Sequence, residues 1–386
     1  MYIIQVGPYP LSPDCIRGGV ESSVFGLANA LAVNHHVDVF DLPRIGGKDI
    51  VEKSGNICIH RYINNGRHNQ DAIQRVDEVL RDVIALHPDV VHVHGTGQIS
   101  SMIYQAIKKH GIKVLLTVHG LLHVEKSNLL RKKITLKHIY QYFHQSRIEF
   151  DAIEKTDVAI VDTEYVAIQL RQLFKQKKVK KIPEMHVIPQ GINKAYLSLG
   201  TNPQDDLILS VGAISERKGH LYLLQAFEQV CALRPSAKLI IAGSLADRQY
   251  YDTLNAYVTQ SPYKDNITIY TNLPQEDIFA LYQKAKIFAL HSQEESQGIV
   301  FVEAMAVGLP VVATKVGGVP YVVHDTENGL LAEYGDVNAF ADNILRLLNE
   351  ANLYKKMQSR NKQEAIEYDW TMIAVKVEDL YNTLRF

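Results

Sequence analysis

The most informative stretch of the chain is His291-Ser-Gln-Glu-Glu295-Ser-Gln-Gly298-Ile-Val-Phe-Val-Glu303-Ala-Met-Ala-Val-Gly308-Leu-Pro310. The apolar run 287–290 precedes this stretch and predicts a strand, while Gly308 and Pro310 end a predicted short helix. A strand that passes through a polar loop into a helix is the repeating unit of a parallel α/β sheet. We therefore expect Glu295 on the loop and Glu303 inside the helix.

This predicted helix start has the character of an anion site. The backbone N–H groups around Gln297, Gly298 and Ile299 have no partner inside the helix, and such groups bind phosphate readily. Two carboxylates beside an anion site suit a ligand that carries both hydroxyls and phosphate, as a sugar nucleotide does. Glu303 is expected to bind ribose hydroxyls. The alternative is that Glu303 only complements the helix dipole.

Length and composition describe an ordinary soluble globular protein with two domains. The chain has 386 residues, 46% of them hydrophobic and 22% charged, with a formal net charge of -1. That charge balance disfavours a role on nucleic acid. Cys15, Cys58 and Cys231 are far apart and without CxxC spacing, so they predict neither a disulfide framework nor a zinc site. The N-terminus lacks the features of a signal peptide, so we predict a cytoplasmic protein.

Short β-rich runs alternate with helical patterns along the whole chain, which predicts two doubly wound parallel sheets of the Rossmann type. We predict an N-terminal domain at 1–195, a linker at 196–206 and a C-terminal domain at 207–365. A last helix at 366–386 is expected to cross back onto the first domain. Ligands of such sheets bind beyond the carboxyl ends of the strands, so the two domains are expected to face a central cleft.

Arg217 and Lys218 follow the predicted strand 207–213 and precede an amphipathic helix. An Arg fork and a Lys point charge at a helix start suit a diphosphate, including one that gains charge as a bond breaks. The alternative is a solvated turn on which cations happen to fall. The position at a strand's carboxyl end, together with the paired-Glu turn, favours the diphosphate site.

The predicted N-terminal domain offers two further candidates. Gly18 and Gly19 follow the first strand and open a helix, where glycines let the backbone approach a ligand closely; a plain flexible loop is the alternative. His119 ends another strand at the predicted cleft, and a structural histidine is the alternative there. We interpret His92 and His94 as structural.

Several motifs are absent from the sequence. The first strand of neither half is followed by Gly-x-Gly-x-x-Gly, which disfavours a nicotinamide dehydrogenase. The chain also lacks a Walker A motif, an Asp-x-Asp pair for a metal diphosphate and a nucleophile elbow. We therefore expect no metal and no cofactor, with protein cations and amides neutralising the phosphates.

A basic amphipathic stretch lies in the first half. Residues 126–147 contain six Lys or Arg and no acid, interleaved with apolar residues, and a second basic cluster occupies 175–181. Such a stretch can rest on an anionic membrane face. A solvated helix face followed by a charged loop is the alternative.

Taken together, these residues resemble the retaining GT-B glycosyltransferases, specifically glycosyltransferase family 4. The resemblance covers nearly the whole chain, and its specificity lies in the ordered combination of motifs rather than in any one of them. The motifs are Gly18-Gly19, Thr117-Val-His119-Gly120, Val187-Ile-Pro189-Gln-Gly191-Ile-Asn193, Arg217-Lys218-Gly219, Glu295-Ser-Gln-Gly298 to Glu303, Gly308-Leu-Pro310, Gly317-Gly318-Val-Pro320 and Trp370.

The resemblance implies a role for each candidate. Arg217 and Lys218 would hold the donor diphosphate, with Gly18 and Gly19 approaching it, and Glu303 would bind ribose. Glu295 and the amides of Gln297, Gly298, Ile299 and Val300 would hold the transferred sugar, and His119 would touch that sugar. The family often has an aromatic residue where Gln297 stands and Glu where Tyr321 stands, so the sugar and base contacts differ from its common pattern.

We therefore predict a hexosyltransferase-type enzyme. It would move a sugar from a nucleotide-diphosphate sugar to an acceptor hydroxyl, with retention and without metal, in the synthesis of a polysaccharide, lipid-linked glycan or glycolipid. A GT-B-like epimerase or phosphorylase would share the fold but turn over donor without an acceptor or depend on free phosphate. A non-catalytic sugar-nucleotide-binding protein would leave the donor intact. The donor base, donor sugar, acceptor and oligomeric state are not encoded in these motifs.

Overall fold

The computed structural model describes residues 1–12, 16, 18–42, 48–63, 73, 75–132, 134–179, 181–204 and 206–384. Within α4, defined below, the side chains at 126 and 129–132 also lie outside this description. Most of the basic residues of the predicted membrane stretch, namely Lys126, Arg131, Lys132 and Lys133, are therefore outside the described side chains, as is Lys180 of the second basic cluster.

The chain divides into two compact units. Unit 1 comprises Met1–Gly191 and Trp370–Phe386, and unit 2 comprises Ile192–Asp369. The sequence placed the first boundary at 195, followed by a linker. Tyr196 instead lies buried in the core of unit 2, in a short helix that begins at Lys194. Of the segment 366–386, residues 370–386 belong to unit 1 and residues 366–369 to unit 2.

Unit 1 contains one mixed sheet of eight strands in the order β3-β4-β2-β1-β5-β6-β7-β8. All neighbours are parallel except β3, which pairs antiparallel with β4 through the two-residue turn Gly55-Asn56. The strands are β1 Tyr2–Val6, β2 His36–Asp41, β3 Ile50–Ser54, β4 Ile57–Arg61, β5 Val90–His94, β6 Val114–Val118, β7 Val158–Val161 and β8 Glu184–Val187. Except in the edge strands β3 and β8, their residues are nearly all buried, as expected for strands covered on both faces.

The helices of unit 1 lie between these strands, and one arrives from the far end of the chain. They are α1 Gly19–Leu31, α2 Val76–Ala85, α3 Gln98–Lys109, α4 Leu122–Lys132, α5 Leu136–Glu154, α6 Glu164–Gln176 and, after unit 2, a helix at Trp370–Thr383. Trp370 of this last helix packs so closely on Gly26 that a Cβ on that glycine would lie 2.0 Å from the indole Nε1. The helix at Trp370–Thr383 therefore packs against α1.

Unit 2 contains a six-stranded, wholly parallel sheet in the order β11-β10-β9-β12-β13-β14. Its strands are β9 Leu207–Val211, β10 Lys238–Gly243, β11 Ile267–Thr271, β12 Ile287–Leu290, β13 Val311–Thr314 and β14 Gly329–Ala332. Its helices are α7 Lys194–Ser198, α8 His220–Leu233, α9 Arg248–Gln260, α10 Gln275–Lys284, α11 Ile299–Val307, α12 Val337–Asn349 and α13 Ala351–Glu364, and the helix at Trp370–Thr383 is α14. Two doubly wound α/β units were predicted, and this is confirmed.

The strand order of unit 2 reverses between β9 and β12. The chain runs outward from β9 through β10 to β11 and then returns to β12 on the other side of β9. A crevice forms outside the carboxyl ends of two such central strands, because the loops after them turn in opposite directions. The segments that follow β9 and β12 carry Lys218 and Glu295.

Candidate functional site

The loops after β9 and β12 contact each other through their backbones. A 3-10 turn at Glu216–Lys218 ends at Gly219, whose φ of 63° lies in the left-handed region. A Cβ on Gly219 would lie 1.8 Å from the carbonyl oxygen of His291, and the Gln293 N–H donates to the Arg217 carbonyl oxygen at 2.8 Å. Glycine is therefore required here, both for the backbone conformation and for the closeness of the two loops.

Lys218 and Glu295 form a buried ion pair where these loops meet. The Lys218 Nζ donates to Glu295 Oε1 at 2.5 Å, and the Ser292 hydroxyl donates to the same oxygen at 2.7 Å. Arg217 Nη1 lies 3.5 Å from Glu295 Oε2 and donates to the Glu294 carbonyl oxygen at 2.9 Å. Glu295 is only 5% exposed, so two cations act on it at low dielectric.

Burial alone would raise the pKa of Glu295, but the charges of Lys218 and Arg217 and the hydrogen bonds from Lys218 and Ser292 outweigh it. The net effect is a pKa below the ordinary value, so the carboxylate is ionised at neutral pH. An ionised carboxylate with one oxygen held by Lys218 can still accept hydrogen bonds from hydroxyl groups of a ligand.

The loop that carries Glu295 is held by its neighbours. The Thr314 hydroxyl donates to the Ser292 carbonyl oxygen at 2.5 Å, and the Gly318 N–H donates to the Glu295 carbonyl oxygen at 2.8 Å. A Cβ on Gly317 would lie 2.2 Å from the same Glu295 oxygen. The position of Glu295 is thus fixed before any ligand binds, which lowers the cost of binding.

The start of α11 carries the predicted amides. Gly298 precedes the helix with a φ of 78°, and no side chain caps it. The first N–H groups of a helix have no partner within the helix, so those of Ile299 and Val300 are available to an anion or a sugar oxygen. Gln297, just before Gly298, is almost completely buried.

Glu303 lies one turn into α11, and two tyrosine hydroxyls bond to its carboxyl group. Its Oε2 accepts a hydrogen bond from the Tyr282 hydroxyl at 3.0 Å, and the Tyr196 hydroxyl also bonds to it. Burial raises the pKa of Glu303 to about 7, although these hydrogen bonds and the charge of Lys218 oppose the rise. Lys218 therefore acts electrostatically on both predicted carboxylates. Arg217 and Lys218 both contact Glu295 directly, whereas Glu303 interacts with Lys218 through its charge.

His119 of unit 1 follows β6 and pairs with another histidine. Its Nε2 lies 3.1 Å from His94 Nδ1, and the two rings stack with centroids 5.3 Å apart. Burial lowers the pKa of His119 to about 4, so the ring is neutral. On the same side of the sheet, His92 Nδ1 lies 2.8 Å from the Tyr381 hydroxyl of α14, and its Nε2 lies 2.5 Å from Thr117 Oγ1. His92 thus links strands to a helix, as a structural histidine does.

Gly18 and Gly19 begin α1 in unit 1, and the fold gives no packing reason for glycine there. Gly18 has a φ of -176°, which any residue adopts, and a Cβ on it would meet nothing within 4 Å. A Cβ on Gly19 would meet only the Gln190 side chain, at 3.9 Å. Close approach of a ligand therefore remains a reason for these glycines.

Several residues that complete the site were missed by sequence reasoning. They are Ser292 and Thr314 beside Glu295, Tyr196 and Tyr282 beside Glu303, and His94 beside His119. The pairing of His94 with His119 could have been found from the strand order. In the parallel pairing of β5 and β6, His94 lies beside Thr117, which is two residues before His119. Tyr196 and Tyr282 lie in separate helices, α7 and α10, so no local sequence pattern connects them with Glu303.

The predicted absence of a metal stays a prediction. Within the described ranges, the single cluster of His, Cys, Asp or Glu side chains close enough together for a metal ion is Asp38, Cys58 and His60, on β2 and β4. None of the predicted site residues belongs to it. In this cluster His60 Nε2 already lies 2.7 Å from Asp38 Oδ2. Separately, no helix in the described part of the chain combines the length and apolar character needed to cross a bilayer.

Two family models match the chain and meet at residue 196. Residues 17–196 match Glycosyltransferase Family 4, and residues 196–364 match Glycosyl transferases group 1. The D-inositol 3-phosphate glycosyltransferase of Segniliparus rotundus is 25% identical over 312 residues, covering 77% of this chain and 67% of that protein. The N-acetyl-alpha-D-glucosaminyl L-malate synthase of Bacillus anthracis is 24% identical over 286 residues, covering 72% and 70%.

Solved structures share the fold over the whole chain. The sucrose-phosphate synthase of Thermosynechococcus elongatus superposes with a TM-score of 0.78 at 22% identity, covering 99% of this chain and 98% of that one. Anabaena HepE, solved in complex with UDP and glucose, superposes with a TM-score of 0.74 at 18% identity, with full coverage of both chains.

Proposed function

This chain belongs to glycosyltransferase family 4, and from that membership we propose that its second unit binds a nucleotide-diphosphate sugar whose sugar the enzyme transfers to an acceptor hydroxyl. The observation that carries the proposal is the contact of Arg217, Lys218 and Glu295 at the carboxyl ends of β9 and β12. It sets cations for a diphosphate beside a fixed carboxylate for hydroxyl groups. The similarity to HepE, whose structure contains UDP and glucose, supports this donor class.

Each side chain has a proposed task. Arg217 and Lys218 hold the diphosphate, helped by the backbone at Gly18 and Gly19. Glu295 and the amides of residues 297–300 hold the sugar, and Glu303 accepts hydrogen bonds from the ribose hydroxyls. His119, neutral and oriented by His94, contacts the sugar as a hydrogen-bond partner rather than as a cation.

The proposed chemistry is transfer with retention at the anomeric carbon. The acceptor hydroxyl attacks from the side on which the diphosphate leaves; the bond from the anomeric carbon to the phosphate oxygen breaks, and the departing phosphate takes the hydroxyl proton. No protein nucleophile and no metal are required in this scheme. The contribution of the chain is electrostatic, because Lys218 and Arg217 stabilise the charge that develops on the leaving diphosphate.

The proposed acceptor is a glycan or a lipid-linked glycan, and the proposed place of action is the cytoplasm or the inner face of its membrane. The Bacillus anthracis relative is an N-acetyl-alpha-D-glucosaminyl L-malate synthase, so similarity to such relatives does not by itself select a glycan acceptor. A screen of acceptors therefore follows the identification of the donor.

The test begins with a thermal-shift screen of UDP, GDP, ADP and their sugars, because ligand binding raises the apparent stability. Donor turnover is then measured in Arg217→Ala and Lys218→Ala. Loss of one electrostatic donor should slow turnover by roughly ten- to a thousandfold. Lys264→Ala, at an exposed position of the same unit, serves as the control and should leave turnover unchanged.

Three results would contradict the proposal: near-normal turnover in both site variants, no stabilisation by any nucleotide, or donor turnover that is independent of any acceptor. A chelator that abolishes activity, restored by a divalent ion, would contradict metal independence alone. NMR of the newly formed glycosidic bond distinguishes retention from inversion, and an inverted product would contradict the mechanism but not the donor site.

A further inference from the structure

One face of α5 is apolar and exposed to solvent, although exposed helix faces are normally polar. Leu136 is 88% exposed, and Tyr140 and Phe143 are each 66% exposed. Their spacing of four and three residues places them in one row along the helix. Ile134, just before the helix, is 77% exposed. Four large apolar side chains thus lie in water along one side of unit 1.

The opposite side of α5 is firmly attached to unit 1. Glu149 is fully buried, and its carboxylate accepts hydrogen bonds from the Leu122 N–H at 2.7 Å and the His123 N–H at 3.0 Å. Ala152 is buried, and Ile153 packs in the core. The exposed row cannot turn inward without breaking these contacts, so its exposure is a property of the fold.

The charges beside the apolar row are positive over the first three turns of the helix. Lys137 and Arg147 are exposed on the same face. His144 lies there too and stacks on the Tyr140 ring with centroids 5.2 Å apart. The sequence from 126 to 148 contains no acid. The acids Asp151 and Glu154 follow only at the carboxyl end of α5.

A groove between α3 and α5 adjoins this face. It has a volume of about 340 Å³, and its lining includes Gln98, Ser101 and Gln105 from α3 and His144, Arg147 and Asp151 from α5. Amide, hydroxyl, guanidinium and ammonium donors therefore lie beside the apolar row, and they outnumber the one carboxylate of the lining, that of Asp151. An amphiphile with an anionic head presents the complementary pattern, with a polar group next to an apolar chain.

We propose that α5 docks unit 1 onto an anionic lipid bilayer. Ile134, Leu136, Tyr140 and Phe143 enter the boundary between headgroups and acyl chains, while Lys137 and Arg147 contact lipid phosphates. Aromatic side chains favour this boundary, and each nearby Lys or Arg adds attraction to an anionic surface. The sequence predicted a basic amphipathic stretch at 126–147. In the surface proposed here, the apolar row of α5 supplies most of the binding free energy, and the positive charges select anionic lipids.

A bilayer fits this face better than a second protein does. The apolar residues form a narrow row with positively charged side chains beside it, whereas the core of a protein interface is depleted of charged residues. The inference does not rest on the proposed glycosyl transfer, because lipid binding is measured without donor or acceptor.

The test uses the whole protein and sedimented vesicles of phosphatidylcholine, with or without phosphatidylglycerol. Binding is expected only with the anionic lipid. Leu136→Ser combined with Phe143→Ser should lower the partition coefficient at least about tenfold, since two large side chains no longer enter the boundary. Lys137→Gln or Arg147→Gln should each lower it about fivefold and reduce its dependence on salt.

Leu233→Ser is the matched control for the apolar variants, because Leu233 is 76% exposed on α8 of unit 2. It should leave vesicle binding unchanged. All these positions are exposed, so thermal unfolding should be unaffected and misfolding would not mimic the result. As a second measurement, the emission of Phe143→Trp, after subtraction of the wild-type emission from Trp370, should shift to the blue on anionic vesicles.

Absence of binding to anionic vesicles would overturn the inference. Equal binding to neutral vesicles, equal loss in Leu233→Ser, or an unshifted Phe143→Trp emission would overturn it too. So would self-association in solution that Leu136→Ser with Phe143→Ser abolishes, since the occupant would then be a second copy of the chain.

Discussion

Lys218 Nζ donates a 2.5 Å hydrogen bond to Glu295 Oε1, although the two residues are 77 positions apart in the chain. Both side chains are buried, and the bond connects the loops after the two central strands of unit 2. A buried carboxylate is costly without its cation. Removal of the cation alone should therefore destabilise the unit that carries the proposed donor site.

Lys218→Met should lower the free energy of unfolding of unit 2 by about 3–5 kcal/mol, because it leaves Glu295 buried without its main partner. Adding Glu295→Leu should recover much of this loss. Urea unfolding of the whole protein, followed by the transition of unit 2, measures both. Arg248→Met removes an exposed ion pair to Asp252 on α9 and should cost less than about 1 kcal/mol. An equally small cost for Lys218→Met would contradict the stabilising role.

Gly219→Ala should destabilise unit 2 by about 4 kcal/mol or more, because the added Cβ meets the His291 carbonyl oxygen and the left-handed φ is strained. Gly335→Ala is the control. Gly335 has a φ of 89° in the same unit, but its Cβ would meet nothing within 4 Å. It should cost only about 1–2 kcal/mol, the strain alone. Thermal unfolding of both variants separates the backbone strain from the clash with the His291 carbonyl oxygen. Equal losses of stability would show that this clash adds nothing to the backbone strain.

His220 should make unit 2 sensitive to acid. Burial and the nearby charge of Lys218 lower its pKa to about 3, and both ring nitrogens lack a hydrogen-bond partner within the described residues. The unfolded chain protonates this histidine near pH 6.5, whereas the folded protein does not. The free energy of unfolding should therefore fall as the pH drops from about 6.5 toward 3, by about 1.4 kcal/mol per pH unit.

Urea unfolding of His220→Leu between pH 7 and pH 5 measures this effect. The variant should lose stability less steeply than the wild type, because one group no longer takes up a proton on unfolding. His324→Leu, at an exposed position of the same unit, should keep the wild-type slope. Parallel curves for wild type and His220→Leu would show that this histidine is not held neutral.

Glu303 should make donor binding pH-dependent. Its carboxyl has a pKa of about 7, and only the ionised form accepts hydrogen bonds from both ribose hydroxyls. Affinity for the nucleotide-diphosphate sugar, whose esterified diphosphate does not titrate in this range, should therefore rise as the pH increases through 7. Glu303→Gln should weaken binding about 10- to 100-fold at pH 8 and flatten the pH profile, which calorimetric titration at pH 6 and pH 8 measures. Glu276→Gln, exposed on α10, is the control. A wild-type profile in Glu303→Gln would contradict the ribose contact.

Gly26→Ala should loosen α14 from unit 1. The new Cβ would lie 2.0 Å from Trp370 Nε1, so the indole has to move and its packing is lost. Fluorescence of Trp370, the single tryptophan of the chain, should shift to the red, and the thermal unfolding of unit 1 should begin earlier. Gly97→Ala has open space around its Cβ and should change neither signal. An unshifted emission in Gly26→Ala would place the stabilising contact of α14 elsewhere.

Local pattern was sufficient to predict most of the secondary structure. The buried strand Ile287–Leu290 is a continuous apolar run, and Gly308 ends α11 with a φ of 90°. The hairpin at Ile50–Arg61 was missed, because its edge strand Ile50–Ser54 is exposed and shows no core-facing run. The four-residue strand Gly329–Ala332 was missed as well.

The candidate site was predictable as a set of positions but not as a set of contacts. Parallel strands bring their carboxyl ends to one edge, so the loops carrying Lys218 and Glu295 were expected near each other. That the two side chains pair depends on how the backbones meet at Gly219 and His291. The hydroxyl partners Tyr196 and Tyr282 depend on the packing of separate helices, which sequence periodicity does not specify.

The helix Trp370–Thr383 completes unit 1, yet all of unit 2 precedes it in the chain. A chain that ends at residue 369 contains every residue of unit 2, whereas unit 1 still lacks the indole that packs on Gly26 and the Tyr381 hydroxyl that contacts His92. The half whose synthesis begins first is thus the last to receive all of its residues. A purified fragment of residues 1–369 should resist protease in unit 2 and be cleaved in unit 1.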